Sequence, residues 1–261
     1  MEIGASTSNF YPAPVETALD TVLAAGFSTV EIFLNAPSER EPAFVDELRR
    51  RADGAGAVVC ALHPYSSFME PYFLFSLYER RFTDMLEDYK HYFEAAARLG
   101  ARYLVLHGDK VGGKLPVERS LERYERLYDL GATFGVRVAQ ENVVRYRSEE
   151  LTYLRALRQQ LGDKAAFVLD IKQTVRCSLP IEEVADAMGD RIVHVHVSDH
   201  TAARDCLPPG TVAFDYGRLF SLLRHRQYDG ALILELYRDG FDSAEDLIQA
   251  AEFLKKYQNM V

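Results

Sequence analysis

The chain alternates eight times between a short apolar segment and a longer amphipathic one. The short segments are rich in Val, Ile, Leu and Ala and carry few charges, which is typical of parallel strands buried on both faces. They lie near residues 2–7, 29–34, 58–64, 101–107, 136–141, 165–170, 192–198 and 231–236. The intervening segments, such as PVETALDTVLAAG, have helical periodicity. Since the chain has 261 residues, we predict an α/β fold, a single-domain (β/α)₈ TIM barrel over residues 1–261.

Glycines stand just before several predicted strands, where a helix must end. These are Gly26, Gly100, Gly135 and Gly230. Glycine past the end of a helix adopts the left-handed conformation without steric strain, so these positions are predicted C-caps. We see no linker or low-complexity stretch and therefore place no domain boundary.

The composition indicates which classes of partner are disfavoured and in which compartment the protein is expected. Hydrophobic residues make up 48% of the chain, and the net charge is -9 at pH 7. Such an acidic chain disfavours nucleic acids and anionic membranes as partners. The three cysteines have no motif spacing, which indicates reduced thiols. The chain begins in a predicted strand, and no stretch approaches the roughly 18 apolar residues of a membrane span. We therefore expect a cytoplasmic protein.

Six consecutive predicted strands end in a side chain that can bind a metal. These side chains are His63, His107, Glu141, Asp170, His196 and Glu235. In a closed parallel barrel the carboxyl ends of the strands meet at one rim, where barrel active sites lie. A carboxylate at the end of an apolar strand is unfavourable unless it is paired or bound to a metal, and a salt bridge with Arg or Lys is the alternative explanation.

Three carboxylates and one imidazole at this rim favour a metal site. The predicted ligands are Glu141, Asp170, His196 and Glu235. This donor set suits Mn²⁺, Mg²⁺, Co²⁺ or Zn²⁺, and the sequence does not choose among them. His194 faces the same way one layer deeper, so we expect a core or supporting role for it.

Further rim residues could bind a second metal or the substrate. His63 and His107 are candidates for either role, with structural hydrogen bonding as the alternative. Two long loops, 66–76 and 201–215, leave carboxyl ends of strands and are candidate lids or substrate walls. His200 could reach the substrate from the second loop. Five loop cations could hold a phosphate or carboxylate, or be merely solvated: Lys110, Arg145, Arg147, Lys172 and Arg204.

Taken in order, these segments resemble the xylose-isomerase-like barrels, which include sugar isomerases, sugar epimerases and zinc-dependent apurinic endonucleases. The resemblance covers nearly the whole chain. The matching pieces are VEIF with Glu31, LHPY, LHGD, QEN, LDIKQ, HVHVSD with Asp199, the PPG…FD loop and LILELY. The epimerase branch implies one divalent metal at the four predicted ligands, with Glu141 and Glu235 also moving the proton.

The endonuclease branch implies a different centre. Its members add matches to His63 and His107 and three further zinc ligands. This chain has Gln173 in place of one of those ligands, and its strand-seven loop reads PGTVAFD where an Asp-x-His pair is expected. We therefore do not expect a trinuclear centre. With the acidic charge, this argues against DNA repair.

The resulting functional hypothesis is a metal-dependent isomerase or epimerase of a small sugar or sugar phosphate. Glu141 and Glu235 would transfer a proton through a metal-stabilised enediolate. Residues His63, His107, Gln173, His200 and Arg204 are candidates for a second metal or for substrate binding. The alternatives are a dehydratase of a keto-inositol type, an endonuclease-like hydrolase and a non-catalytic metal-binding barrel. Retention of both glutamates argues against the last. A sugar is the expected partner, and homo-oligomer formation is left open.

Overall fold

Eight parallel strands close into a barrel in chain order, with β8 paired to β1. The computed structural model describes residues 1–201, 203–212 and 214–258. The strands are β1 Glu2–Ser6, β2 Thr29–Phe33, β3 Val58–His63, β4 Tyr103–Leu106, β5 Arg137–Glu141, β6 Phe167–Asp170, β7 Ile192–Val197 and β8 Ala231–Leu234. The predicted barrel is confirmed, and each strand lies where the apolar segments placed it.

Helices surround the barrel and cover the outer faces of its strands. Within the described residues they are α1 Val15–Ala24, α2 Pro42–Gly54, α3 Glu79–Leu99, α4 Val117–Ala132, α5 Leu151–Leu161, α6 Ile171–Arg176, α7 Ile181–Met188, α8 Tyr216–His225 and α9 Ala244–Gln258. Strand β2 shows how the layers divide. Val30 and Ile32 join the main hydrophobic core, whereas Glu31 between them faces the opposite way, into the barrel, because successive strand side chains alternate.

Glycine ends three of the helical segments as predicted. Gly100 follows α3 with φ 74°, and Gly26 and Gly135 also have positive φ. Gly230 does not have this conformation. After α8 the left-handed position is taken by Gln227, with φ 55°, so the chain has already turned before it reaches Gly230.

The loop after β3 is held against the barrel rim. Residues Tyr65–Tyr72 form a 3₁₀ helix, and Glu70 within it is fully buried. The Glu70 carboxylate accepts hydrogen bonds from the Gly108 amide at 2.6 Å and from the Tyr89 hydroxyl at 2.7 Å. This segment, predicted as a lid or wall, is thus tied to the loop after β4.

Burial raises the pKa of Glu70 from 4.5 to about 7, so we expect Glu70 to make stability depend on pH. The folded protein keeps this proton to higher pH than the unfolded chain does. The contribution is therefore fully present below pH 4.5 and is lost as the pH rises through 7, by at most about 3 kcal/mol. Urea unfolding at pH 5 and pH 8 should show a smaller pH difference for Glu70→Gln than for the wild type. An equal difference in both proteins would contradict this.

The loop after β7 is anchored by Asp199. One carboxylate oxygen, Oδ2, accepts hydrogen bonds from the amides of Gly210 at 3.0 Å and Val212 at 2.8 Å. The other accepts one from the Tyr216 hydroxyl at 2.9 Å. Ala202 and Ala213, within the predicted wall 201–215, lie outside the described residues.

In the described part of the chain, no helix is both long enough and apolar enough to cross a bilayer. The cysteines are free thiols: Cys60 and Cys206 are buried and Cys177 is half-buried.

Candidate metal centre

Four strands deliver the predicted ligands to one point of the barrel rim. Glu141 and Asp170 are the last residues of β5 and β6, His196 lies near the end of β7, and Glu235 directly follows β8. The β6–β7 register pairs Asp170 with His196. One ligand atom from each of the four residues lies within 4.8 Å of the others.

The spacing within this group fits a single metal ion. His196 Nδ1 lies 3.6 Å from Glu141 Oε1, 3.7 Å from Asp170 Oδ2 and 3.5 Å from Glu235 Oε2. Ligand atoms about 2.1 Å from a common metal are roughly 3 to 3.5 Å apart. A small inward movement of these side chains would therefore complete a coordination shell.

Several of these buried atoms lack a hydrogen-bond partner among the residues that the structure describes. They are Asp170 Oδ2, Glu141 Oε2 and His196 Nδ1. Glu141 Oε2 is 3.1 Å from His107 Nε2, but that contact does not have hydrogen-bond geometry. Burying unpaired polar atoms is unfavourable, and a divalent cation would satisfy all three. The residues present thus fit the implied metal.

The electrostatics of the group also favour a cation. Burial raises the pKa of the Asp170 carboxyl. For His196, burial opposes protonation, but the carboxylates of Glu31 and Glu235 outweigh it and raise the imidazole pKa well above its ordinary value. A metal ion at Nδ1 would compete with a proton for that nitrogen.

Glu31 lies behind His196 and is a residue whose role the sequence did not reveal. It is fully buried, and its Oε2 accepts hydrogen bonds from His196 Nε2 at 3.0 Å and His194 Nε2 at 2.9 Å. Because Nε2 of His196 points at Glu31, Nδ1 is the nitrogen that faces the ligand group. A carboxylate behind a metal-binding histidine sets its tautomer and ring orientation. His194 has the supporting position predicted for it.

We expect Glu31→Gln to weaken metal binding about 10- to 100-fold, because the replacement removes the negative charge that orients His196. The measurement is titration of the metal-stripped protein with Zn²⁺ or Mn²⁺ in competition with a chromogenic chelator. Glu118→Gln makes the same replacement at an exposed position of α4 and is the matched control. Unchanged affinity in a folded Glu31→Gln protein would show that Glu31 does not orient His196.

A second group of potential ligands shares Glu141 with the first. Its other members are His63 and His107, whose Nε2 atoms lie 3.2 Å apart. His63 Nδ1 lies 3.2 Å from the Pro64 carbonyl and must donate to it, so Nε2 carries the lone pair. Burial, with the nearby His107, lowers the His63 pKa to about 4, so this imidazole is neutral at pH 7.

The remaining predicted residues lie outside both groups. Gln173 is buried near Asp170. Its backbone N–H donates to Asp170 Oδ1 at 3.0 Å, and its side-chain oxygen accepts from the Val144 backbone N–H at 3.2 Å. His200 lines a separate cavity of about 410 Å³ near α6 and α7. Arg204 is exposed and donates to the Asp239 carbonyl.

Two of the predicted loop cations are buried in ion pairs. Arg147 pairs with Asp109 at 2.8 Å and donates to the Gly113 carbonyl at 2.9 Å, which is a structural role. Lys172 instead contacts two carboxylates of the candidate metal centre. Its Nζ lies 2.8 Å from Glu235 Oε2 and 3.2 Å from Asp170 Oδ2. A salt bridge was the alternative explanation for the carboxylates at the rim, and it therefore applies in part to Asp170 and Glu235.

A cavity of about 520 Å³ opens beside the candidate metal centre. Its size is within the range of small-molecule sites. Lys172 and Glu235 connect it to the ligand group. Aromatic rings and short polar side chains also line it: Tyr11, Phe33, Tyr237, Ser8 and Asn35. Apolar surfaces with a few polar groups suit a polyhydroxylated ligand, whose C–H faces pack on rings while its hydroxyls form hydrogen bonds.

Solved structures with the same fold include several sugar epimerases. A 3-keto-D-glucoside 4-epimerase from E. coli has a TM-score of 0.77 at 19% identity, covering 98% of this chain and 99% of that one. D-psicose 3-epimerase from Clostridium cellulolyticum H10 has 0.81 at 14%, covering 100% of both. D-allulose 3-epimerase from Methylomonas sp. has 0.79 at 20%, covering 98% of both. At these identities the likeness concerns the fold.

Sequence comparison identifies the family. An uncharacterised protein of Mycobacterium leprae is 22% identical and covers 98% of both chains. A second uncharacterised protein, from Mycobacterium tuberculosis, is 22% identical, and the match covers 94% of this chain and 92% of that protein. The sequence profile described as xylose isomerase-like TIM barrel matches residues 19–257. Since this match spans most of the barrel, the chain belongs to the xylose isomerase-like TIM barrel family.

Proposed function

We propose that this protein is a metal-dependent epimerase or isomerase of a small sugar or sugar phosphate. The observation that carries the proposal is the pair of glutamates, Glu141 and Glu235, in one buried ligand group with Asp170 and His196. A cavity of suitable size lies beside this group. The sugar epimerases among the structural neighbours support the choice of substrate class.

Glu141, Asp170, His196 and Glu235 would hold one divalent metal, Mn²⁺, Mg²⁺, Co²⁺ or Zn²⁺. When bound, such an ion polarises a substrate carbonyl and makes the neighbouring C–H bond more acidic. His63 and His107 could hold a second ion with Glu141, or bind substrate hydroxyls through their Nε2 atoms.

The two glutamates are suited to proton transfer because the protein keeps them ionised. Burial opposes the charge of Glu141, but His107 and His196 outweigh it and hold its pKa well below the usual range. At Glu235, burial again opposes the charge, but Lys172 and His196 outweigh it and lower the pKa of this carboxyl. The carboxylates enter from different strands, β5 and β8. One can remove a proton from a carbon while the other returns it from another side. A positioned base contributes about 10²- to 10⁴-fold in rate.

The contacts of Gln173 disfavour an endonuclease-type trinuclear centre. Its side-chain oxygen already accepts a hydrogen bond from the Val144 backbone N–H, and an amide is a poorer zinc ligand than the histidine that such a centre uses at this position. We therefore propose a small sugar as the partner, in the cytoplasm, with neither nucleic acid nor membrane involved.

The test is an NMR screen in D₂O. Metal-stripped protein is reloaded with Mn²⁺, Mg²⁺, Co²⁺ or Zn²⁺ and incubated with a panel of ketoses, aldoses and their phosphates. We expect one sugar to exchange its α-proton for deuterium and to convert to its epimer or isomer without losing water, and stripped protein to do neither. Loss of water would identify a dehydratase instead. No exchange with any metal and sugar would contradict the proposal.

A further inference from the structure

Lys172 is a buried cation whose ammonium contacts two of the candidate metal ligands. It lies at the start of α6, two residues after Asp170, and is only 8% exposed. Its Nζ contacts Glu235 Oε2 and Asp170 Oδ2, the same two oxygens that face His196 Nδ1. The ammonium and a metal in the ligand group would therefore share two carboxylate oxygens.

The ammonium has more N–H groups than these contacts use. One is donated to Glu235 at 2.8 Å. A second can turn to Asp170, whose Oδ2 lies at 3.2 Å. The third has no acceptor among the described residues, and Lys172 lines the cavity of about 520 Å³ beside Glu235. Since a lysine ammonium has three donors, the third N–H is available to a ligand in that cavity.

The charge of the group leads to the same conclusion. Three ligand carboxylates and one divalent cation would leave one negative charge among the ligands, and Lys172 would offset it. The Glu31 carboxylate behind His196 adds a further negative charge, so a charge that develops on a bound ligand would enter a site that Lys172 makes less negative. Fixed charges in a water-poor site stabilise such a developing charge strongly.

We propose that Lys172 is a further catalytic residue, which donates its third N–H to the substrate oxygen that becomes negatively charged. This rests on the proposed function. When a glutamate removes the α-proton, the C–H bond breaks and its electron pair forms a carbon–carbon double bond. The carbonyl π electrons move to the oxygen as a lone pair. The ammonium keeps its proton and acts only as a donor. Its hydrogen bond is stronger to the charged oxygen than to the carbonyl, so it lowers the barrier.

The experiment uses a binding probe and therefore needs no identified sugar. Deprotonated acetohydroxamate chelates divalent metals through its two oxygens and resembles an enediolate in shape and charge. Its affinity for Mn²⁺- or Zn²⁺-loaded protein is measured by calorimetry, and metal content by elemental analysis. Lys172→Met should keep its metal and bind acetohydroxamate about tenfold more weakly or worse, since a charged donor is lost. Lys172→Arg should keep part of the affinity.

Lys114→Met is the matched control, because Lys114 is an exposed lysine of the loop after β4. It should bind the probe as the wild type does. Metal-loaded Lys172→Met with wild-type probe affinity would overturn the proposal, since Lys172 would then only balance charge in the metal-free group. Loss of metal from both Lys172 variants would also overturn it, in favour of a structural role. Failure of the sugar screen would leave the probe result standing, so the two failures are distinguishable.

Discussion

Replacing His196 with alanine is expected to remove the bound divalent metal from the purified protein. His196 Nδ1 faces all three carboxylates of the ligand group at 3.5, 3.6 and 3.7 Å, and it is the only imidazole in that group. Its loss leaves three ligands and also removes a partner of the buried Glu31 carboxylate. Elemental analysis after desalting should find about one metal per chain in the wild type and almost none in the variant.

His91→Ala is the matched control, because His91 is an exposed residue of α3. It should retain the wild-type metal content. A second variant, His63→Ala, tests whether the group of His63 and His107 binds a metal ion of its own. If His63 and His107 hold a second ion, this variant loses one equivalent and keeps the other. If they bind only substrate, it loses none. Undiminished metal in folded His196→Ala would count against the assignment of the primary site.

The sequence was enough to predict the barrel and the positions of the six rim residues. Both follow from local patterns, because a buried parallel strand is a short apolar run, and in these six strands a His, Asp or Glu stands at or next to the carboxyl end. Residues as distant in the chain as His63 and Glu235 could be assigned to one rim by topology alone. The structure brings His63 and His107 together with Glu141 and brings Glu235 into the group that shares this Glu141, which agrees with that placement.

The residues whose roles the sequence did not reveal depend on contacts between distant segments. Glu31 bonds to His194 and His196, which lie 163 and 165 residues further along the chain. No local pattern predicts that pairing. Lys172 was expected only as one rim cation among several. Its contacts with the candidate metal centre depend on how α6 begins, and α6 starts immediately after Asp170.

Local sequence patterns also did not predict the paths of the loops. His200 and Arg204 were candidates because they follow β7, and the structure places them against other loops and helices instead. The Asp199 carboxylate directs this loop by binding two of its amides. Side chains on strands were therefore located more accurately than those on loops, since a strand sets the direction of each side chain and a loop does not.

Glu141→Gln and Glu235→Gln are each expected to lower turnover about 10³-fold while the protein stays folded and keeps at least some metal. Glutamine preserves the size of the side chain and one oxygen donor, but it removes the basic carboxylate. At position 235 the amide oxygen can still accept the hydrogen bond from Lys172, so a charge is not needed there for packing. The measurements are steady-state rates on the sugar identified in the D₂O screen, together with metal content. Glu118→Gln, at an exposed position, should have the wild-type rate.

Isotope exchange separates the two glutamates. If the enzyme is an epimerase with one base on each face, each variant loses the base on one face only. It should then still exchange the α-proton of one epimer with D₂O while failing to convert that epimer, and the two variants should favour opposite epimers. If one glutamate carries the proton between carbons, only its variant loses exchange. A metal-loaded variant that turns over sugar at nearly the wild-type rate would show that its carboxylate is not a base. The nearest remaining candidates would be His63, which is neutral at pH 7, and His107 beside it.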